Sequence, residues 1–155
     1  MKSVAGIFVL CAAIFVFGCA KTQTGQVVKV PEAGLTMTAP SGWKAQGGDS
    51  ALACFKGDST CIVLVEPLEG RDFKKYAREI ATAFGGKEIS SEALSVSGCE
   101  AFRFEVEYPL QGSKSLRLYV QREDELVEVS FVTPSEEFQI EKAALSQALD
   151  SVKIK

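Results

Sequence analysis

The chain contains no histidine. That absence removes Ser-His-Asp and Cys-His nucleophile pairs, and every His-ligated metal site. There is no surplus of positive charge either. Lys and Arg number 17 against 20 Asp and Glu, a formal net charge of -3, so the basic footprint that nucleic acid requires is missing. The sequence has no CxxC pair, no phosphate-cradling GxxxxGK(S/T) and no GxGxxG. Gly85-Gly86 follows a helical pattern rather than a strand, the reverse of a phosphate loop. No apolar run reaches the ~20 residues of a membrane-spanning helix. What remains is ordinary: 155 residues, 46% hydrophobic and 24% charged, neither disordered nor collagenous. That length suits one domain with a core of its own.

The N-terminus carries an address. Met1-Lys2-Ser3 is a short positive start, and the uncharged run Val4 to Gly18 follows, 15 residues long. A positive start, a short apolar core and a small residue before a cut site describe a secretory signal. The segment Val16-Phe17-Gly18-Cys19 resembles the lipobox of bacterial lipoproteins, with Phe17 bulkier than the usual small residue. The resemblance implies cleavage before Cys19, with acylation of its thiol and of the new amine. Residues 1–18 are then the signal, 19–33 the lipidated start and tether, and 34–155 the domain. Cleavage leaves 137 residues, and only Lys2 is lost among charged side chains, so 16 basic residues face 20 acidic ones at net -4. Several acyl chains anchor stably where one is marginal, at ~0.8 kcal/mol per buried CH2. The expected place is the cell envelope, facing the periplasm. Ala20, where an Asp would favour inner-membrane retention, points to the outer membrane in a cell that has one. An ordinary cleaved signal or an uncleaved anchor, with Cys19 incidental, is the plainer alternative.

Export makes disulfides permissible. Of the five cysteines, Cys11 leaves with the signal and Cys19 takes lipid, so Cys54, Cys61 and Cys99 remain. Gly57-Asp58 reads as a hairpin turn with Cys54 opposite Cys61. A four-residue loop, 56 to 59, puts 54/61 at a non-hydrogen-bonded pair and favours a bridge, whereas a two-residue loop makes it a hydrogen-bonded pair, less suited to one. The expectation is a Cys54–Cys61 disulfide, with a pairing to Cys99 as its competitor and two reduced core residues as the bland alternative.

The rest reads as one α+β domain, an antiparallel sheet packed with two helices. Strands are expected over 34–38, from Trp43, over 51–56 and over 60–66. The 51–66 hairpin is apolar on both faces, which predicts cover on both sides. A helix over 72–84 places Phe73, Tyr76, Ala77, Ile80, Ala81 and Phe84 on one stripe, stopped by Gly85. Four strands then form a meander over 89–97, 101–108, 115–122 and 126–132. Thr133-Pro134-Ser135-Glu136 offers an N-cap and capping box for a final helix. Its buried stripe is Phe138, Ala144, Leu145, Ala148, Leu149 and Val152.

That element order, with Leu35 to Trp43 containing Pro40-x-Gly42-Trp43 and later Val96-x-Gly98, resembles the PsbP-like fold over residues 34–155. That fold includes the extrinsic photosystem II subunit, a Ran-binding import factor and many bacterial lipoproteins. The resemblance implies helices packed on an antiparallel sheet and leans toward binding or assembly roles. It implies no activity.

Few residues suggest chemistry. Glu105 and Glu107 share a strand face near Arg103, with Arg117 and Tyr119 within reach. They read as a polar binding surface or a carboxylate acid/base pair, or as a solvated face with cross-strand charge pairing. Trp43 reads as core. Lys74, Lys75 and Arg78 read as a wet helix face. The expected function is a non-catalytic envelope module without cofactor or metal. Its expected partners are the membrane, through the N-terminal lipid, and an envelope protein, not nucleic acid. The alternatives are a thiol-redox protein using Cys54, Cys61 and Cys99, and a carboxylate hydrolase.

Overall fold

A computed structural model of the chain describes residues 25–47 and 52–155. The expected signal at 1–18, Cys11, the expected lipidation site Cys19 and the start of the expected tether lie outside the described residues. The elements are β1 (Val27–Val30), β2 (Leu35–Thr38), β3 (Lys44–Gly47), β4 (Leu52–Lys56), β5 (Ser59–Pro67), α1 (Phe73–Ala81), β6 (Lys87–Val96), β7 (Cys99–Tyr108), β8 (Ser113–Arg122), β9 (Glu125–Pro134), α2 (Ser135–Asp150) and β10 (Lys153–Ile154). Seven strands form one antiparallel sheet in the order β3-β4-β5-β9-β8-β7-β6, and β1-β2-β10 form a second. The α+β class is as expected, with helices packed on antiparallel sheet.

Two strands are additions to the sequence reading. One lies ahead of residue 34: Val27 to Val30 pair with Leu35 to Thr38 and bury Val28 and Val30. At the other end Lys153 and Ile154 pair with Thr36 and Leu35. Two residues are too few to show a period in sequence.

The large sheet is covered on both faces by different partners. On one face lie α2 and the small sheet. Phe131, Leu118, Val129, Cys61 and Val63 pack there with Phe138, Leu145, Leu35 and Met37. On the other face lies α1, where Phe73, Ala77 and Ala81 meet Phe102, Phe104, Tyr119 and Leu126. The meander is therefore two-sided. Phe102↔Tyr119 and Arg103↔Leu118 are consecutive cross-strand pairs, and successive side chains point to opposite faces. The face carrying Arg103 and Glu105 also carries Leu116 and Leu118 and lies under α2, so it is not a solvated face. Arg117 and Tyr119 belong to the opposite face, away from Glu105.

Both helices start or stop differently from expectation. Asp72 caps α1, its carboxylate accepting from the Lys75 N–H at 2.8 Å. The helix ends at Ala81, and Thr82 donates its hydroxyl to the Arg78 carbonyl at 2.8 Å. A single 3-10 turn over Ala83–Gly85 follows, in which Phe84 takes φ 59. Phe84 thus leaves the apolar stripe and stands 89% exposed. At α2, Thr133 is not the N-cap. It pairs with Lys114 in the ladder, Pro134 pairs with Ser113, and the helix begins at Ser135 with Pro134 as an N-cap that has no side-chain hydrogen bond.

The 52–67 hairpin corrects two further expectations. Lys56 pairs with Ser59, so the loop is the two residues Gly57-Asp58, with Gly57 at φ 56. A two-residue loop of that kind places Gly at the first central position of a type II′ turn. Cys54 does stand opposite Cys61, but the count from the loop makes theirs a hydrogen-bonded pair. Both thiols are free in this structure, so the expected bridge is not formed. The hairpin is also covered on one side only among the described residues. Leu52, Cys54, Cys61 and Val63 are buried, whereas Phe55, Ile62 and Leu64 remain 39%, 43% and 41% exposed.

Candidate functional site

Three features of this scaffold bear on function: a polar groove under α2, a buried ionic cluster beside α1, and the open half of the α1 face.

The groove, about 320 Å³, is floored by Arg103, Glu105 and Leu116 and walled by Ser90 to Glu92 of β6 and by Lys142 and Ser146 of α2. Its charges are internally matched. Lys142 Nζ donates to Glu105 Oε2 at 2.7 Å, and Arg103 meets Glu92 at 3.3 Å, Ser146 at 3.3 Å and the Asp150 carboxylate. Arg103 Nε, by contrast, is buried with no hydrogen-bond partner. The two carboxylates singled out from sequence are divided between cations: Glu105 is buried against Lys142, and Glu107 faces Lys114 at 3.6 Å. A carboxylate held by its own ammonium is placed as a strut between helix and sheet rather than as a free proton carrier.

The ionic cluster lies on the opposite face. Arg117 Nη1 donates to Glu128 Oε1 at 3.0 Å and to the Tyr119 hydroxyl at 3.3 Å, and that hydroxyl lies 3.4 Å from the same carboxylate oxygen. Arg117 Nε reaches Ser115 at 3.1 Å, and the guanidinium sits 5.4 Å from the centre of the Tyr108 ring. Burial raises Glu128 above the ordinary carboxylate range, an effect that Arg117 opposes. Burial, and then the Glu128 charge, push Tyr119 far up. Sequence reasoning missed this cluster because Glu128 sits in the apolar run Val127 to Val129. The available signal was its two-residue offset from Leu126 and Ser130, which marks a second strand face.

Beside this cluster the sheet is open among the described residues. Ile62 pairs with Ser130 and Leu64 with Glu128, so the exposed side chains of β5 border the ion pair. Phe55 lies on the same face next to Thr60. α1 covers β7 and β8 but not this half. Lys74, Lys75 and Arg78 line the outer side of α1 as expected, with Arg78 paired to Glu88 at 2.8 Å and Lys75 to Glu79 at 4.0 Å. Trp43 is core, with its ring edge-on to Phe131 at 5.4 Å.

The cysteines are separated by register. Cys61 shares a row with Phe131, Leu116 and Glu105, whereas Cys99 lies at the start of β7. Three strand spacings and six residues along the strand put them roughly 24 Å apart, far beyond disulfide reach. A bridge from Cys99 to either Cys54 or Cys61 is therefore excluded. The hydrogen bond to Cys54, together with burial, holds the Cys61 thiol well above its usual range. Among the described residues no group of three or more acidic or cysteine side chains is placed to hold a metal ion. No helix among them is long and apolar enough to cross a membrane.

Two exposed apolar tips complete the surface. Phe84 is held in the left-handed region at a cost of about 1–2 kcal/mol for a residue with a Cβ. Leu110, in the β7–β8 turn, is 91% exposed. The two tips are tied together: Gln111 Nε2 donates to the Phe84 carbonyl at 3.3 Å, and the Tyr108 hydroxyl donates to the Ala81 carbonyl at 2.6 Å.

No protein-family profile and no curated protein matches the sequence. Solved structures do match. The cyanobacterial PsbP of Synechocystis superposes with a TM-score of 0.64 at 11% identity, over 100% of this chain and 99% of that one. LpqN of Mycobacterium tuberculosis, a protein involved in cell envelope biogenesis, gives 0.59 at 11% identity, over 83% and 88%. A Pseudomonas aeruginosa protein of unknown function gives 0.56 at 17% identity, over 81% and 94%. At such identities the likeness concerns the fold, and it reaches nearly the whole length of each neighbour. Two packed helices, a long antiparallel meander and a Pro-x-Gly-Trp corner with Pro40 and Trp43 buried thus give this chain the PsbP-like α+β fold.

Proposed function

We propose that the protein is a lipid-anchored module of the cell envelope that binds or assembles other components and does no chemistry itself. The observation that carries this reading is the contrast between its polar and its apolar surfaces. Its buried carboxylates are held by cations of neighbouring elements, Glu105 by Lys142 and Glu128 by Arg117. Three of its exposed apolar side chains, by contrast, gather in one patch: Phe55, Ile62 and Leu64 on the open half of the sheet. A patch of this kind, bordered by polar residues, is typical of a surface that meets another protein. LpqN, of the same fold, is involved in cell envelope biogenesis, which accords with a place in the envelope. The lipobox-like segment ending in Cys19 supplies the anchor, acylated after cleavage and facing the periplasm. The thiol-redox alternative finds less support. Cys54 and Cys61 are both 0% exposed, and Cys99 is too distant to resolve either one.

One experiment tests both halves. A photo-crosslinking amino acid at Ile62 is expressed in the full-length protein, alone and with Cys19→Ser. The expected result is membrane fractionation and an acyl label that are lost with Cys19→Ser. A discrete envelope-protein adduct that disappears with Leu64→Glu is also expected. Acylation and membrane partition unchanged by Cys19→Ser would refute the anchor. Absence of any adduct at Ile62, with a control site such as Glu100 equally silent, would refute the binding surface.

A further inference from the structure

One edge of the large sheet is free along most of its length. β6 ends the strand order, with no further strand beside it among the described residues, and Lys87 to Ala93 are all exposed. The other edges are short: β3 has four residues, and β1 and β10 of the small sheet have four and two. An edge strand presents a row of unpaired N–H and C=O groups, a template for another strand, and proteins blunt such edges with bulges, lysine and proline. On β6 these devices gather at one end. Lys87 and the bulge between Glu88 and Ser90 occupy its start, where the Glu88 carboxylate accepts from Arg78 at 2.8 Å and from Ser91 at 2.7 Å. Ser90 to Val96 then run in unbroken register with Glu105 to Cys99, without lysine, proline or bulge.

Parity decides which groups face outward. Ser97 and Gly98 both take positive φ, 53 and 85, as in a two-residue type I′ turn, so Val96 and Cys99 close the ladder as a hydrogen-bonded pair. Counting back by twos, Leu94, Glu92 and Ser90 also bond to β7. Ser91, Ala93 and Ser95 therefore point their N–H and C=O groups away from the sheet. Their side chains are small and share the α1 face with Phe102 and Phe104.

We propose that this edge pairs antiparallel with the same edge of a second copy of the chain, about a two-fold axis through Ala93. A two-fold axis normal to the sheet keeps every residue on its own face, so the pairing must be centred on a residue rather than between two. Centring on Ala93 sets Ser91 against Ser95 and Ala93 against itself, for about six backbone hydrogen bonds. Centring on Glu92 would carry one bonded pair into the bulge and set two carboxylates directly opposite, which is repulsive. Centring on Leu94 would carry one into the Ser97 turn. In the Ala93 register Glu92 faces Leu94 of the second copy and keeps its own Arg103 at 3.3 Å. The fit favours a copy of this chain over a foreign strand: Ala93 is midway between the bulge and the turn, so the bulge of one copy meets the turn of the other. Small side chains over one short ladder make a contact of the weak class, below about 1,200 Å² in total.

A weak contact is best trapped. Full-length protein in unfractionated cell lysate is oxidised briefly with copper-phenanthroline and read as disulfide-linked dimer on a non-reducing immunoblot, wild type supplying the background of the native cysteines. Every substituted position is exposed, so the fold is retained. Ala93→Cys places its thiols on a hydrogen-bonded pair with Cα atoms ~5.5 Å apart, within disulfide reach. Ser91→Cys co-expressed with Ser95→Cys does the same across the axis, whereas either alone sets its thiols about 13 Å apart along the strands. Ala93→Cys and the co-expressed pair are expected to give at least about ten-fold more dimer than Ser91→Cys or Ser95→Cys alone, because only they come within reach. Adding Ala93→Pro to both members of the pair, which removes an outward N–H and spares the β7 ladder, should return the yield to that of the single variants. Equal dimer from the single variants and the pair would overturn the register. No dimer above wild type from any variant would overturn the pairing. An Ala93→Cys adduct with a different protein in place of the dimer would assign the edge to a foreign strand and overturn self-pairing.

Discussion

Replacing Arg117 by Met isolates the energetics of the cluster beside α1. Side-chain exposure is 15% for Arg117 and 5% for Glu128, at an Nη1–Oε1 distance of 3.0 Å. Breaking a pair buried this deeply leaves an uncompensated carboxylate and costs about 3–5 kcal/mol. Set against a total stability of roughly 5–15 kcal/mol, that loss is large. In a domain of this size it corresponds to a fall in Tm of roughly 10–20 °C. Urea unfolding followed by tryptophan emission reads it as a lower midpoint at unchanged slope. The pH dependence has a definite sign. Glu128 is raised in the folded state by burial. Between its unfolded and folded values the native protein holds a proton that the unfolded chain has released. Stability therefore falls as pH rises through that window and returns on acidification. Without Arg117 the folded value climbs further, so the deficit at about pH 8 shrinks at about pH 5. Replacing the whole cluster by apolar groups, as Arg117→Met with Tyr119→Phe, Glu128→Leu, Ser115→Ala and Ser130→Ala, removes its buried charges together with the buried hydroxyls that they satisfy. That variant is expected to match wild type or exceed it by up to ~4 kcal/mol. An Arg117→Met deficit below ~1 kcal/mol, equal at both pH values, would refute the reasoning by showing the cluster to be wet.

Two other substitutions probe the packing. Thr133 is 1% exposed, and its hydroxyl has no hydrogen-bond partner, so Thr133→Val should raise the urea midpoint, by about 1 kcal/mol in stability; a lower midpoint would show that the hydroxyl is satisfied in solution. A Cβ on Gly86 would lie 2.8 Å from both Tyr108 Cε1 and Val106 Cγ1, and Gly86→Ala should cost about 1–3 kcal/mol, since the floor under the α1 terminus cannot give way; an unchanged thermal midpoint would count against that.

Much of the candidate surface was not legible in the sequence. The alternation Phe102-x-Phe104-x-Val106 reads as one buried face in any strand, but it cannot say that the intervening Arg103 and Glu105 are roofed by a helix from the far end of the chain. Glu105 and Arg117 look like neighbours in a list of charged strand residues. A single-residue difference in cross-strand parity puts them on opposite faces. Phe84 fits the helical period of α1, and only the early stop at Thr82 turns it outward.

The sequence by itself determined what depends on local order along the chain. Its lack of histidine and of basic excess, the signal-like start ending at Cys19 and the turn at Gly57-Asp58 all follow from neighbouring residues. So do the amphipathic periods of α1 and α2 and the alternation of the meander, because side-chain direction repeats every 3.6 or every 2 residues. The tertiary structure decided which face each strand shows to which helix, that Glu128 pairs with Arg117 and Glu105 with Lys142, and that half of one sheet face stays open. These outcomes depend on register and on which helix lies over which strands, and both are set by contacts between residues distant in sequence.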